Sequence, residues 1–171
     1  MEARTRAPTD IVKGTYTLPF DLYPKQVETI NELAPNWNAG VWLDMGTGKT
    51  ICFINIALYH KLVSGSRAIV IMPPLLVPQW AAAIRSLKPA PSVVRYEGTP
   101  KQRAALDLNA DFLLVGVQIF KRDFHHIWKH FKDVPYVVGV DEAQMIANPG
   151  SANHEHVMDF SVGHAQYLMT G

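Results

Sequence analysis

Val41-Trp42-Leu43-Asp44-Met45-Gly46-Thr47-Gly48-Lys49-Thr50-Ile51 is the stretch from which the chain is best read. A short apolar run ends in a glycine turn, then Lys-Thr, then a long apolar-periodic segment. That order predicts a strand, a phosphate-cradling loop and a helix. Gly46 and Gly48 can take positive φ and bring the backbone close to an anion with no Cβ in the way. The first N–H groups of the following helix lack intrahelical partners and carry the positive end of its dipole, so they face the phosphates. Lys49 offers an ammonium to the β- and γ-phosphates, and the Thr50 hydroxyl suits a Mg²⁺ ion. The spacing departs from Gly-x4-Gly-Lys-Thr, because Leu43 stands where the first glycine would be and the first glycine is Gly46. The alternative is an ordinary glycine turn that happens to precede Lys-Thr. The apolar run before it and the helical pattern after it favour the phosphate loop.

Outward from the loop, composition sets bounds. The 171 residues suit one domain of roughly 100–200 residues, large enough for a full core. Hydrophobic content of 48% and charged content of 18% describe a globular chain rather than a disordered one. A net charge of +1 gives no global basic field, so any nucleic-acid contact must come from a local patch. The single cysteine, Cys52, has no partner for an internal disulfide and fits a reducing compartment. No apolar stretch approaches the roughly 18 residues of a membrane span, so no membrane partner is expected. Met1–Pro8 lacks the apolar core of a signal peptide. These features predict a soluble, intracellular protein of the cytoplasm, nucleoid or nucleus.

In chain order, residues 1–19 are polar and rich in Pro and Thr, and read as a loosely ordered lead-in to a domain spanning 20–171. Pro24 suits a first helical turn, and Val27, Ile30, Asn31 and Leu33 follow at helical spacing. The first strand is expected over Ala39–Leu43, and the helix after the loop reaches about Val63, with Ser64-Gly65-Ser66 as its stop. Arg67–Met72 is a continuous apolar strand, the mark of a parallel sheet buried on both faces. A helix over Val77–Leu87 follows, then a strand over Val93–Glu97. Thr99-Pro100 starts a helix expected to reach Leu108. Asp111–Val117 is a strand, and Phe120, Phe124, Ile127, Trp128 and Phe131 mark one face of a single helix. Tyr136–Val140 is a strand, Ser151–Phe160 a short helix and Ala165–Met169 a last strand. Alternating strands and helices predict an α/β fold with a doubly wound, mainly parallel sheet and helices on both faces.

Val137-Val138-Gly139-Val140-Asp141-Glu142 is an apolar strand that ends in paired carboxylates. Ligands of open parallel sheets bind outside the carboxyl ends of the strands, where the glycine loop also sits. Asp141 is therefore a candidate Mg²⁺ ligand beside Thr50, and Glu142 a candidate to orient and polarise an attacking water. An acidic cap on the next helix is the other reading of the pair.

With these segments in hand, the chain resembles superfamily 2 helicases and translocases, and within them the Swi/Snf-like branch. Asp141-Glu142-Ala143-Gln144-Met145-Ile146-Ala147-Asn148 with Ser151 resembles motif II and its tail, and Met45-Gly46-Thr47-Gly48-Lys49-Thr50 resembles motif I. Leu22-Tyr23-Pro24-Lys25-Gln26 is similar to the adenine-reading Q motif, Ile71–Trp80 to motif Ia, and Leu168-Met169-Thr170-Gly171 to the start of motif III. The matches run in family order from Leu22 to Gly171. Gln144 stands where the family usually has His, a change that bears on the contact with motif III rather than on metal binding. Ala147 replaces a common Lys, and Val117-Gln118 a common Thr-Tyr pair.

The resemblance implies the first RecA-like lobe of a DNA-dependent ATPase that uses ATP and Mg²⁺. Its partners would be nucleic acid, double-stranded DNA foremost, and a second RecA-like lobe in cis or trans that these 171 residues do not include. Lys49, Asp141 and Glu142 would carry the chemistry; Gln26, Gly46, Thr47, Gly48, Lys49 and Thr50 would hold the nucleotide. Gln26 would read adenine through an amide that both donates and accepts, against the reading of a plain surface glutamine. Tyr23 and Phe20 suit either stacking on the base or core packing, and Trp80 reads as core. His125, His126 and His130 read as a solvated face rather than a metal site, and Lys101, Arg103, Lys121 and Arg122 as either a basic rim or scattered surface cations. A nucleotide-gated docking module without turnover is the alternative function. A GTPase is disfavoured by the lack of Asn-Lys-x-Asp, and a nucleotide kinase by the lack of any arginine after Arg122.

Overall fold

Six apolar runs become six strands: β1 (Asn38–Trp42), β2 (Arg67–Met72), β3 (Val93–Tyr96), β4 (Phe112–Gly116), β5 (Tyr136–Asp141) and β6 (Ala165–Thr170). They form one sheet in the order β1-β6-β5-β2-β4-β3, and every pairing is parallel. The computed structural model describes residues 6–42 and 46–171. Residues 1–5 of the expected lead-in, and Leu43, Asp44 and Met45 between the first strand and Gly46, lie outside the described residues.

Alternation within a strand sends side chains into two cores. Ala68, Val70 and Met72 of β2 join one cluster, and Ile69 and Ile71 join the other. Helices α1 (Pro8–Lys13), α2 (Pro24–Leu33), α3 (Lys49–Ser64) and α4 (Val77–Arg85) contribute to the first cluster. Helices α6 (Val117–Arg122), α7 (Phe124–Phe131) and α8 (Ala152–Ser161) contribute to the second. This is the doubly wound arrangement that the alternation of elements predicts. Helix α3 ends at Gly65, whose φ of 68° is the left-handed cap that a side chain would resist. Among the described residues, no helix is long and apolar enough to cross a membrane. Cys52 is buried on α3, and burial pushes its thiol up to about 12, so it is an inert core residue.

Five expectations need correction. Residues 8–19 are not a loose lead-in: Pro8 opens α1, and Val12 and Tyr16 are buried in the core. Asn31 Oδ1 accepts from both the amide and the hydroxyl of Thr9, and Thr17 pairs with Lys88 through both backbone groups. Two apolar side chains sufficed, too few for a composition-based reading to register. The helix from Thr99 is shorter than expected: α5 spans Pro100–Ala104, with Thr99 and Gln102 capping one another. Past it, the Asp107 carboxylate accepts from the Asn109 amide and turns the chain.

The single helix expected through Phe131 is two, α6 and α7, which meet at Asp123. Trp128 lies partly exposed under the Lys132 ammonium rather than in the core. Arg103 is no rim cation, being 2% exposed. It donates to both Asp123 oxygens and to the Gly98 carbonyl. Those guanidinium hydrogen bonds hold the Asp123 carboxyl below its ordinary range, and the pair braces α5 against the α6–α7 junction.

Gly139, in the middle of β5, has no room for a side chain. A Cβ there would lie 2.6 Å from Cζ of Phe53, whose ring already meets Trp80 and Tyr167 edge-on at 5.9 and 6.0 Å. Gly139→Ala is expected to destabilise the fold by about 1–3 kcal/mol, the cost of overpacking a filled core. Urea unfolding would read this as a lower midpoint at unchanged slope; an unmoved midpoint would mean that α3 gives way without cost.

Candidate functional site

The carboxyl ends of β1 and β5 are separated in the sheet by β6 alone, so the segments that follow them open on the same side. Gly46 and Gly48 have φ of 80° and 87°, the left-handed backbone that their type permits. Gly48 is the N-cap of α3 and brings no side-chain cap to its first turn. A Cβ at Gly48 would lie 2.4 Å from Nε2 of Gln26, so glycine is also needed there for close approach.

Gln26 lies in the first turn of α2, buried. Its Oε1 accepts from the Tyr23 amide at 2.9 Å, and its Nε2 donates to the Thr47 carbonyl at 2.8 Å. A side-chain amide has two donors and two acceptor lone pairs, so these bonds leave capacity for a base edge. Gln26 thus ties α2 to the glycine loop as well as facing the cavity.

Asp141 ends β5 and is buried. Its Oδ2 accepts from the Trp80 indole N–H at 2.8 Å, and its Oδ1 from the Glu142 amide at 2.9 Å. Burial raises the Asp141 carboxyl above its ordinary value; the two hydrogen bonds and the charge of Lys49 pull it back, while Glu142 adds to the rise. Glu142 has φ 55° and ψ 57°, a left-handed backbone that costs a non-glycine residue on the order of 1–3 kcal/mol. Such strain marks a position where side-chain direction matters. Gln144 Nε2 donates to Glu142 Oε2, and its Oε1 accepts from the Thr170 hydroxyl at 3.1 Å. Glutamine in place of the family's usual histidine therefore links the end of β5 to the end of β6.

These pieces enclose a cavity of about 620 Å³ lined by Gln26, Gly46, Gly48, Lys49, Thr50, Asp141 and Glu142. That volume lies within the usual range for a small-ligand site. Thr47 meets it through its neighbours, its carbonyl being bonded to Gln26. Phe20 and Tyr23 stand at the rim, 53% and 70% exposed, which removes the core-packing reading of both. Sequence reasoning missed Gln79 and Leu76 on the α4 side of the cavity and treated Trp80 as packing alone. The signal was present for Trp80, since a buried indole N–H requires an acceptor. Among the described residues no group of three or more His, Cys, Asp or Glu converges to hold a metal. A divalent cation here would rest on Thr50, Asp141 and a nucleotide's own phosphates.

A family model described as the SNF2-related domain matches residues 25–171. The chain belongs to the SNF2-related domain family. Within it, this domain is 30% identical over 135 residues to a Mycoplasma genitalium protein named an uncharacterised ATP-dependent helicase, covering 75% of this chain and 13% of that protein. It is 27% identical over 140 residues to a chromodomain-helicase-DNA-binding protein 1-like of Danio rerio, with 75% and 13% covered. Against the protein CHROMATIN REMODELING 24 of Arabidopsis thaliana it is 27% identical over 176 residues, with 88% and 16% covered. The chain thus spans about one eighth to one sixth of the length of these relatives. Among solved structures, a Sulfolobus solfataricus SWI2/SNF2 ATPase core in complex with dsDNA superposes with a TM-score of 0.71 at 21% identity. The match covers 90% of this chain and 32% of that one. The SNF2-related domain here has the fold of a first, RecA-like lobe.

Proposed function

We propose that this SNF2-related domain is the ATP-binding lobe of a motor that couples Mg-ATP hydrolysis to movement on nucleic acid, double-stranded DNA foremost. It works with a second RecA-like lobe, in cis or in trans, inside the cell. The observation that carries the reading is the single cavity onto which both Lys49-Thr50 and Asp141-Glu142 open. The helicase and DNA-binding names of the relatives, and the DNA in the Sulfolobus complex, supply the class of polymer.

In this reading the first-turn N–H groups of α3 and the Lys49 ammonium hold the β- and γ-phosphates. The Thr50 hydroxyl and the Asp141 carboxylate are hard oxygen donors on the wall of that cavity, and they fit a Mg²⁺ ion that keeps most of its shell from phosphates and water. Such an ion neutralises charge on the phosphate oxygens. Glu142 orients the attacking water and draws its proton. Gln26 reads the base with its remaining donor and acceptor, and the exposed rings of Phe20 and Tyr23 give the base a surface to stack on. Lys101, Lys121 and Arg122 are exposed on α5 and α6, beyond the carboxyl ends of β3 and β4, where they can meet a phosphate backbone.

Lys49→Ala tests the core of the reading. Loss of the charged donor is expected to weaken ATP binding by about 10–100-fold. Titration of the folded variant with a fluorescent ATP analogue measures this, and wild-type affinity would sink the phosphate-cradle assignment.

A further inference from the structure

We propose that Trp80 is a positioning residue for Asp141: its indole N–H fixes which edge of the carboxylate faces the Mg-nucleotide. The proposal rests on the function proposed above and goes beyond it, to a buried residue of α4 that does not itself line the cavity. Trp80 is 1% exposed and comes from α4, 61 residues from Asp141 in sequence, yet its Nε1 lies 2.8 Å from Oδ2. A buried indole N–H needs some acceptor, and the one it meets here is the buried carboxylate at the end of β5.

Two properties of the contact make it directional. An indole N–H only donates, whereas a hydroxyl or amide in the same place could turn over and present a lone pair. The ring itself is held, meeting Phe53 edge-on at 5.9 Å inside the cluster that also buries Ile84 and Met72. Oδ2 is thereby fixed from the α4 side and Oδ1 by the Glu142 amide, so the carboxylate has one orientation when the nucleotide arrives. Neighbours that orient a ligating carboxylate typically matter 10–100-fold to metal affinity.

The test uses Trp80→Phe, which keeps an aromatic ring against Phe53 and removes the donor. A fluorescent ATP analogue is titrated into the 171-residue chain in EDTA and across a Mg²⁺ series. The wild type should bind more tightly as Mg²⁺ rises. The variant should keep its affinity in EDTA and need about tenfold more Mg²⁺ for the same gain. Equal Mg²⁺ dependence in both proteins overturns the proposal while leaving the nucleotide site intact. An equal loss in EDTA and in Mg²⁺ also overturns it, as the mark of packing alone. Absence of nucleotide binding by the wild type removes the function proposed above, and this inference with it.

If the variant does not fold, the wild type still decides the matter. The chain has four tryptophans, so the indole resonance of Trp80 can be assigned in ¹⁵N–¹H spectra by replacing Trp37, Trp42 and Trp128 in turn. Adding Mg²⁺ to the nucleotide-saturated protein should shift it. A resonance that moves with nucleotide alone and ignores Mg²⁺ overturns the role.

Discussion

The 171 residues by themselves are expected to hold ATP and hydrolyse it about 10³–10⁵-fold more slowly than the same residues joined to a second RecA-like lobe, the usual worth of an arginine finger. In the proposed reading the glycine loop, Lys49 and a cation meet the triphosphate from one side. Charge building on the γ-phosphoryl oxygens needs a cation from the other, and no arginine is among the described residues lining the cavity. Arg67 donates to Asn109, Arg95 pairs with Glu97 and Arg103 with Asp123, while Arg85 and Arg122 stand exposed outside the cavity. Nucleic acid, too, would meet only half of a cleft. Steady-state ATPase of the chain, with and without duplex DNA and then with a second lobe supplied in cis, measures the difference. Fast, DNA-stimulated turnover by the chain alone would mean that self-association provides a finger. No gain from the second lobe would favour a docking module.

Glu142→Gln should slow turnover in the two-lobed form by about 10²–10⁴-fold, the range for loss of a general base, and leave Mg-ATP affinity nearly intact. The substitution keeps length and shape, and glutamine meets the same left-handed backbone at φ 55° that glutamate does, so the fold has no new strain to absorb. The contrast with Lys49→Ala is the informative part: in the proposed roles Lys49 holds phosphate, whereas Glu142 acts on water. Single-turnover hydrolysis and analogue titration on both variants separate the two. If Glu142→Gln loses affinity as Lys49→Ala does, Glu142 is structural and its link to Gln144 is a brace.

Much of this was legible in the sequence because it was written in local chemistry. The apolar run of Arg67–Met72 marks a doubly buried parallel strand, and the glycines at 46 and 48 suit the positive φ that both adopt. What escaped was decided at long range. Val12 and Tyr16 look like stray apolar residues until α2 and α3 provide the surface that buries them. Arg103 looks like any exposed cation until Asp123 arrives from 20 residues on. The break between α6 and α7 has the same cause, since Asp123 is held by Arg103 and the Tyr96 hydroxyl rather than continuing the helix. The second bond of Gln26 was hidden likewise, because it depends on where the Thr47 carbonyl comes to rest.

The strand order has a consequence for how such a chain is made. β1, which precedes the glycine loop, is one of the two edge strands and, among the described residues, pairs with β6 alone, as Asn38 against Gln166 and Trp42 against Thr170. A ribosome emits β1 and the loop before the strand that pairs with β1. Until Ala165–Thr170 clear the exit tunnel, β1 has no ladder to join and β5 presents an unpaired flank, the kind of edge that invites foreign strands. Within this lobe the glycine loop is therefore made well before the strand that seats β1 in the sheet.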